Sequence, residues 1–243
     1  MFVTDLASSG QGGPRPWNLS WFFRAHGPGV YQSQDAGEDG QRVLVDEYAV
    51  LNGADAPEKG LPLGPLVRKI GLTLGLQPQP ETFDGTVRGE GIFSPLGTHG
   101  AFGADGRTPS RPPHFSGAEN LLLGWVESVK DPGASVSLAP VQTSRRVLRL
   151  ELPDGEYAVI ENRARRGFDA ALPGEGLLVW RVKGTRINLV EADGRGDIDS
   201  NGGEASHYFP NPAAPALTVG SFRLRDIRRD EGGAISFALD RLE

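Results

Sequence analysis

The amino-acid sequence predicts an α+β fold, with helices confined to the first half and a β-rich, antiparallel second half. Three observations carry this expectation. One amphipathic helical period lies before residue 80, a capped helix start follows at Ser116, and from Ser135 onward short β-prone runs alternate with Pro, Gly and Asp turns. At 243 residues the chain can bury a substantial core, and the change of pattern sets two regions, 1–130 and 131–243, the second packed on the first.

Taken in order, the opening segments "SSGQGGPRP" and "DAGEDG" are turn-rich, and between them and the first helix "RVLVDEYAVL", Arg42 to Leu51, reads as one strand. A core helix follows over 63–76, where Leu63, Val67, Ile70 and Leu74 recur at helical spacing and form an apolar stripe. It carries Gly71 and Gly75, each costing about 1 kcal/mol against alanine inside a helix, so something other than helix propensity keeps them there. The stretch 77–113 has few apolar periods, a length of loop that points to function or disorder. A second helix is expected over 116–129, with Ser116 as N-cap and Glu119 at the capping-box position. The strands expected after it are "SVSLAP", "RVLRLEL", "EYAVIEN", "GLLVWRV", "INLVEA", "SFRLRDI" and "AISFAL", parted by turns such as "PDGE" and "LPGEG".

Composition removes several function classes. There are no cysteines, hence no disulfide, thiolate metal site or cysteine nucleophile. The net charge of −6 leaves no basic footprint for nucleic acid, and "SRRVLRL", "RARR" and "RLRDIRR" alternate with apolar residues as solvated strand faces do. No apolar run approaches the roughly 20 residues of a membrane-spanning helix. The amino terminus, "MFVTDLASSGQGG", has neither a basic nor a long apolar segment, which predicts a cytoplasmic chain as given, or an extracellular one if a leader precedes it.

Four blocks then occur in a telling order: "PPHFSGAENLLLGWV", "IENRARRGFDAALPGEGLLVWRV", "INLVEADGRGDID" and "HYFPN". Together they resemble the zinc metallopeptidases of the immune inhibitor A family, over about Val67 to Phe209. The resemblance implies a zincin-like fold for the first region, with the β-rich region after it. It also implies that the helix "RKIGLTLGL" stands where active members carry His-Glu-x-Gly-His-x-Leu-Gly-Leu, two histidines binding zinc and the glutamate activating its water. Gly71, Leu74, Gly75 and Leu76 match that motif, which accounts for the two glycines as its remnants. Arg68 replaces the first histidine, Lys69 the glutamate and Leu72 the second histidine. "PETFD" places Glu81 at the third-ligand position if two residues are inserted, and "GIFSPLGTHG" puts Leu96 where a methionine turn lies beneath the metal. No zinc is therefore expected. The implied protein is an inactive pseudopeptidase, a structural module or one that binds peptide or protein in a cleft containing Arg68, Lys69, Glu81 and His114. The alternative is a hydrolase working through an unrecognised or rebuilt metal site.

Read without the family, the remaining chemistry is sparse. His26, His99 and His207 are scattered through glycine-rich loops with no His-x-x-x-His or His-x-His spacing, and His114 precedes the second helix. No Gly-x-Ser-x-Gly elbow is present, and nothing selects a catalytic pair from Glu156, Glu161, Glu175 and Glu191. "EADGRGDIDSNGGE" is the exception. Asp197, Asp199 and Asn201 followed by Gly202 match the opening of a calcium loop, with Glu191, Asp193 and Glu204 available to add oxygens. Tyr208 at the twelfth position excludes a strict EF-hand, and a turn that binds nothing is the competing reading, since Asp, Asn and Gly favour turns for backbone reasons.

Overall fold

The structure is a computed structural model describing residues 2–4, 19–22, 29–52, 63–79, 89–97, 99–129, 132–198, 203–211 and 215–242; of 2–4, 19–22 and 47–52 it describes the backbone alone. Among these residues the strands and helices run β1 (Phe2–Thr4), β2 (Leu19–Phe22), β3 (Tyr31–Ala36), β4 (Arg42–Val45), β5 (Glu47–Asn52), α1 (Leu63–Thr73), α2 (Gly117–Leu122), β6 (Glu127–Val129) and β7 (Ser135–Leu138). They continue α3 (Val141–Ser144), β8 (Arg146–Glu151), β9 (Glu156–Arg163), β10 (Gly176–Lys183), β11 (Arg186–Leu189), β12 (Leu217–Val219), β13 (Phe222–Arg229) and β14 (Ile235–Arg241). The architecture is mixed α+β and β-rich. None of these helices is long and apolar enough to cross a membrane.

The segment "GLLVWRV" is apolar at almost every position, the mark of a strand covered on both faces. It is β10, inside a five-stranded sheet of order β11-β10-β9-β8-β6, antiparallel except for the parallel β6–β8 pair. One face of this sheet, including Leu148, Ile160, Leu177 and Val179, packs on Leu138, Leu224, Ile235 and Phe237 of the four-stranded antiparallel sheet β12-β13-β14-β7. The opposite face turns Val147, Val159, Leu178, Trp180 and Val182 toward Phe93, Ala118, Leu172, Ile198 and Tyr208. That second cluster draws its residues from both sides of residue 130. The five-stranded sheet is thus a middle layer, and each large apolar side chain it buries is worth about 1.5–3 kcal/mol. Near the amino terminus β1-β5-β2 form a small sheet and β3-β4 a hairpin.

Three expected elements differ in extent. "RVLVDEYAVL" is two strands rather than one: β4 pairs with β3, whereas β5 pairs with β1 and β2, and the chain passes between the sheets at Asp46. The second helix stops at Leu122 instead of Val129, because Gly124 turns at φ +69° and β6 is drawn into the parallel ladder with β8. Its start is as expected: Ser116 accepts the Glu119 amide, and the Glu119 carboxylate accepts the Ser116 amide. The first helix ends at Thr73, not Leu76, and its buried face is not the apolar stripe. Ile70 and Leu74 are exposed, while Gly64 and Gly71 are buried. A Cβ on Gly71 would stand 2.8 Å from the Phe115 ring, so the glycine lets the helix approach that ring. Gly75, at φ +94°, ends the helix in a conformation other residues adopt at a cost.

Candidate metal centre

The acidic turn after β11 is organised from within. Glu191 is buried and accepts the amides of Asp197 (2.9 Å) and Ile198 (3.4 Å), while the Ile198 side chain is sunk in the core. Asp193 accepts the Arg195 amide at 3.2 Å. From the short helical turn Ala205–His207 comes His207, fully buried with its ring edge-on to Phe93. Its Nε2 lies 3.7 Å from Glu191 Oε2, 4.0 Å from Asp193 Oδ2 and 3.5 Å from Asp197 Oδ1. One ligand atom from each of these four residues falls within 4.8 Å of all the others, so the group could hold a metal ion. Calcium binds oxygen at about 2.3–2.6 Å, and two atoms across one such shell stand at most about 5 Å apart.

Two buried polar atoms in this group, His207 Nε2 and Asp193 Oδ2, have no hydrogen-bond partner. Burial alone would raise the Asp193 carboxyl, but the neighbouring Ser206 hydroxyl and the hydrogen bond from the Arg195 amide, with the nearby His207 and Arg195, hold it below the ordinary value. It is therefore ionised at neutral pH. His207 Nδ1 accepts the Glu204 amide at 3.2 Å. In the neutral ring the proton then sits on Nε2, aimed at the carboxylates.

Of the residues expected to bind calcium, Asp193 and Asp197 come together, and Glu191 joins them. Asp199, Asn201 and Gly202 lie outside the described residues. Glu204 stands apart from the group: its carboxylate accepts from Ser206 and sits 3.9 Å from Arg195. Sequence spacing gave His207 no ligand pattern, and its place beside "EADG" depends on the turn that carries "HYFPN" back over β10, where Phe209 and Leu177 exchange backbone hydrogen bonds.

Among the described residues, helix α1 offers no such site. Arg68 Nη1 donates to the carbonyl oxygens of Pro95 (3.0 Å), Leu96 (2.6 Å) and Gly97 (3.1 Å). Burial, then the charge of Arg68, lowers the Lys69 ammonium from its usual value. Leu72 packs with Leu76, Leu96 and Phe115. None of these three side chains presents a zinc ligand, and Glu81 lies outside the described residues. Of the other residues expected in a cleft, Arg68 engages the 95–97 turn and His114 Nδ1 is 2.9 Å from Asp169 Oδ2.

The unassigned carboxylates also find structural partners. Glu156 pairs with Arg181 and Lys183, and Glu175 with Arg229. Glu161 is buried, accepting from Trp180 Nε1 (2.7 Å), the Gly117 amide (3.1 Å) and Arg163. The chain matches no protein-family model, no curated protein and no solved structure.

Proposed function

We propose that this protein is a non-catalytic relative of the immune inhibitor A metallopeptidases, a module for binding or structure whose acidic turn takes calcium. The observation that carries the first part is the Arg68 clamp. A permanent cation hydrogen-bonded to three carbonyls of the turn at Leu96 stands where the first zinc-binding histidine would be, with Lys69 beside it. Two neighbouring cations in a partly buried site repel a dication by several kcal/mol. Purified protein should therefore contain no stoichiometric zinc and leave casein intact. The triple change Arg68→His, Lys69→Glu and Leu72→His should regain zinc before activity, because hydrolysis also needs the residues that orient the ligands. Chelator-sensitive proteolysis by the unchanged protein, at one zinc per chain, would overturn this reading.

Calcium rather than a softer metal is favoured by the His207 tautomer. With Nε2 protonated, the histidine offers no lone pair to a metal, and the atoms left to bind a cation are oxygens. A dissociation constant of about 10 μM would place 1 mM calcium about 100-fold above it, stabilising the fold by roughly 2.7 kcal/mol. That corresponds to a melting shift of about 5–10 °C. Asp193→Asn and Asp197→Asn should abolish the shift, with Glu231→Gln as the surface control. If zinc or manganese shifts the melt and calcium does not, His207 is a nitrogen ligand and the calcium assignment fails.

A further inference from the structure

The feature that the cation turn and the degenerate helix leave unexplained is a cavity of about 600 Å³ where α2, α3 and the entry to β8 meet. Phe115, Trp125 and Val141 form its apolar part and His114, Gln142 and Arg145 its polar part. Among the described residues no carboxylate lines it, in a protein of net charge −6.

Three observations define what it would take. Arg145 holds φ 52° and ψ 35° at the C-cap of α3, a left-handed conformation in which glycine or asparagine would be less strained. Its backbone is committed on both sides, the amide donating to Val141 and the carbonyl accepting from Glu127, yet its guanidinium makes no hydrogen bond or ion pair among the described residues. An arginine kept at a strained position, with its charged group unengaged, points to use of that group. Trp125 is 49% exposed, its ring tilted 6.0 Å from that of Phe115, a surface suited to stacking. Finally, His114 is oriented. Its Nδ1 donates to Asp169, a buried carboxylate held ionised by Arg163, which leaves the Nε2 lone pair as the ring's acceptor. Gln142 is already satisfied by Ala164 and Asp169, and the Asn120 amide nitrogen donates to the Phe115 and Ser116 carbonyls, so Arg145 supplies the cavity's free cation and His114 its ring acceptor.

We propose that this cavity binds a small aromatic carboxylate: the ring stacks on Trp125 and Phe115, the carboxylate pairs with Arg145, and His114 Nε2 accepts a hydrogen bond from a donor on the ligand. The site is independent of the fate of the zinc helix, and its test does not involve metal.

Calorimetric titration with 3-phenylpropionate is the direct experiment, with 3-phenylpropan-1-ol as the uncharged comparison. The acid should bind with a dissociation constant on the order of 0.1–1 mM, and the alcohol at least about tenfold more weakly. Arg145→Gly should bring the two within about twofold while leaving the melting temperature unchanged or higher, because glycine relaxes the left-handed backbone. Trp125→Ala should weaken both ligands together. The proposal is overturned if the unchanged protein binds acid and alcohol alike, or if Arg145→Gly keeps the preference for the acid. If Arg145→Gly lowers the melting temperature, Arg145→Gln, which removes the charge and keeps the length, takes its place, and a preference for the acid that persists in it equally overturns the proposal.

Discussion

Arg163→Met should cost the fold about 3–5 kcal/mol at neutral pH, the expected penalty for removing one partner of a buried ion network. The Arg163 guanidinium is fully buried. It donates to Glu161 (3.1 Å), to both Asp169 oxygens (3.1 and 3.2 Å) and to the Phe115 carbonyl (3.1 Å). Methionine fills much of the volume but leaves two buried carboxylates facing no cation. The pH dependence separates this cause from simple loss of packing. Burial alone would raise Asp169, but Arg163 and His114 hold it at about 2, against 3.8 for an ordinary aspartate. Because the folded value is depressed, its contribution, roughly 2 kcal/mol, is present above the unfolded value and lost as pH falls from about 4 toward 2. Without Arg163 that contribution disappears, so the deficit of the variant should be large at pH 7 and shrink below pH 4. Urea unfolding at both pH values measures it; a deficit independent of pH would assign the loss to packing alone.

Glu90→Gln should make the protein more stable than the unchanged chain at pH 8. Glu90 and Glu119 are both fully buried, and both Glu90 oxygens and Glu119 Oε1 go without a partner unless a proton lies between the two carboxyls. Burial first, and then the charge of Glu119, raises Glu90 well above the ordinary 4.5, so the pair keeps one proton. Glu119 is the partner that stays charged, since it accepts from Ser94 Oγ (2.6 Å) and the Ser116 amide (2.7 Å). Here the folded value is raised. The stabilisation is complete below the unfolded value and falls by about 1.4 kcal/mol per pH unit as pH climbs toward the folded one. A glutamine amide donates to Glu119 without titrating, so the variant's stability should be flat over the range above the unfolded value where the unchanged protein declines. Parallel declines in the two proteins would show that Glu90 does not hold the proton. The pair sits under the start of α2, and its loss of the proton should be felt first in that capping box.

The legible parts of this protein are those whose cause is local. The Ser116–Glu119 box joins residues three positions apart, and the structure forms it with both hydrogen bonds. The strands β7, β8, β9, β10, β13 and β14 follow runs whose own side chains favour a pleated, covered surface. Element ends were less legible because a partner sets them. "RVLVDEYAVL" has the composition of one strand and breaks at Asp46 since two sheets compete for it. Ile70 and Leu74 have the spacing of a buried stripe and are exposed, since the neighbour of α1 is a bulky ring that only a glycine face can approach.

The sites are completed by the tertiary structure. From the residues alone came the oxygen-rich turn that opens at Asp197, because Asp197, Asp199 and Asn201 before Gly202 are a local signature. That Glu191 folds inward over this turn, and that His207 closes it, depends on chain returning across β10. The same holds for the Arg68 clamp, whose acceptor Leu96 is 28 residues away, and for His114 and Asp169, 55 residues apart. Sequence by itself determined which stretches could become strands or helices, and that "RKIGLTLGL" carries no histidine or carboxylate to bind zinc. Only the tertiary structure decided what Arg68, His114 and His207 touch, because side chains distant along the chain meet through the packing of sheets, and no local preference encodes that meeting.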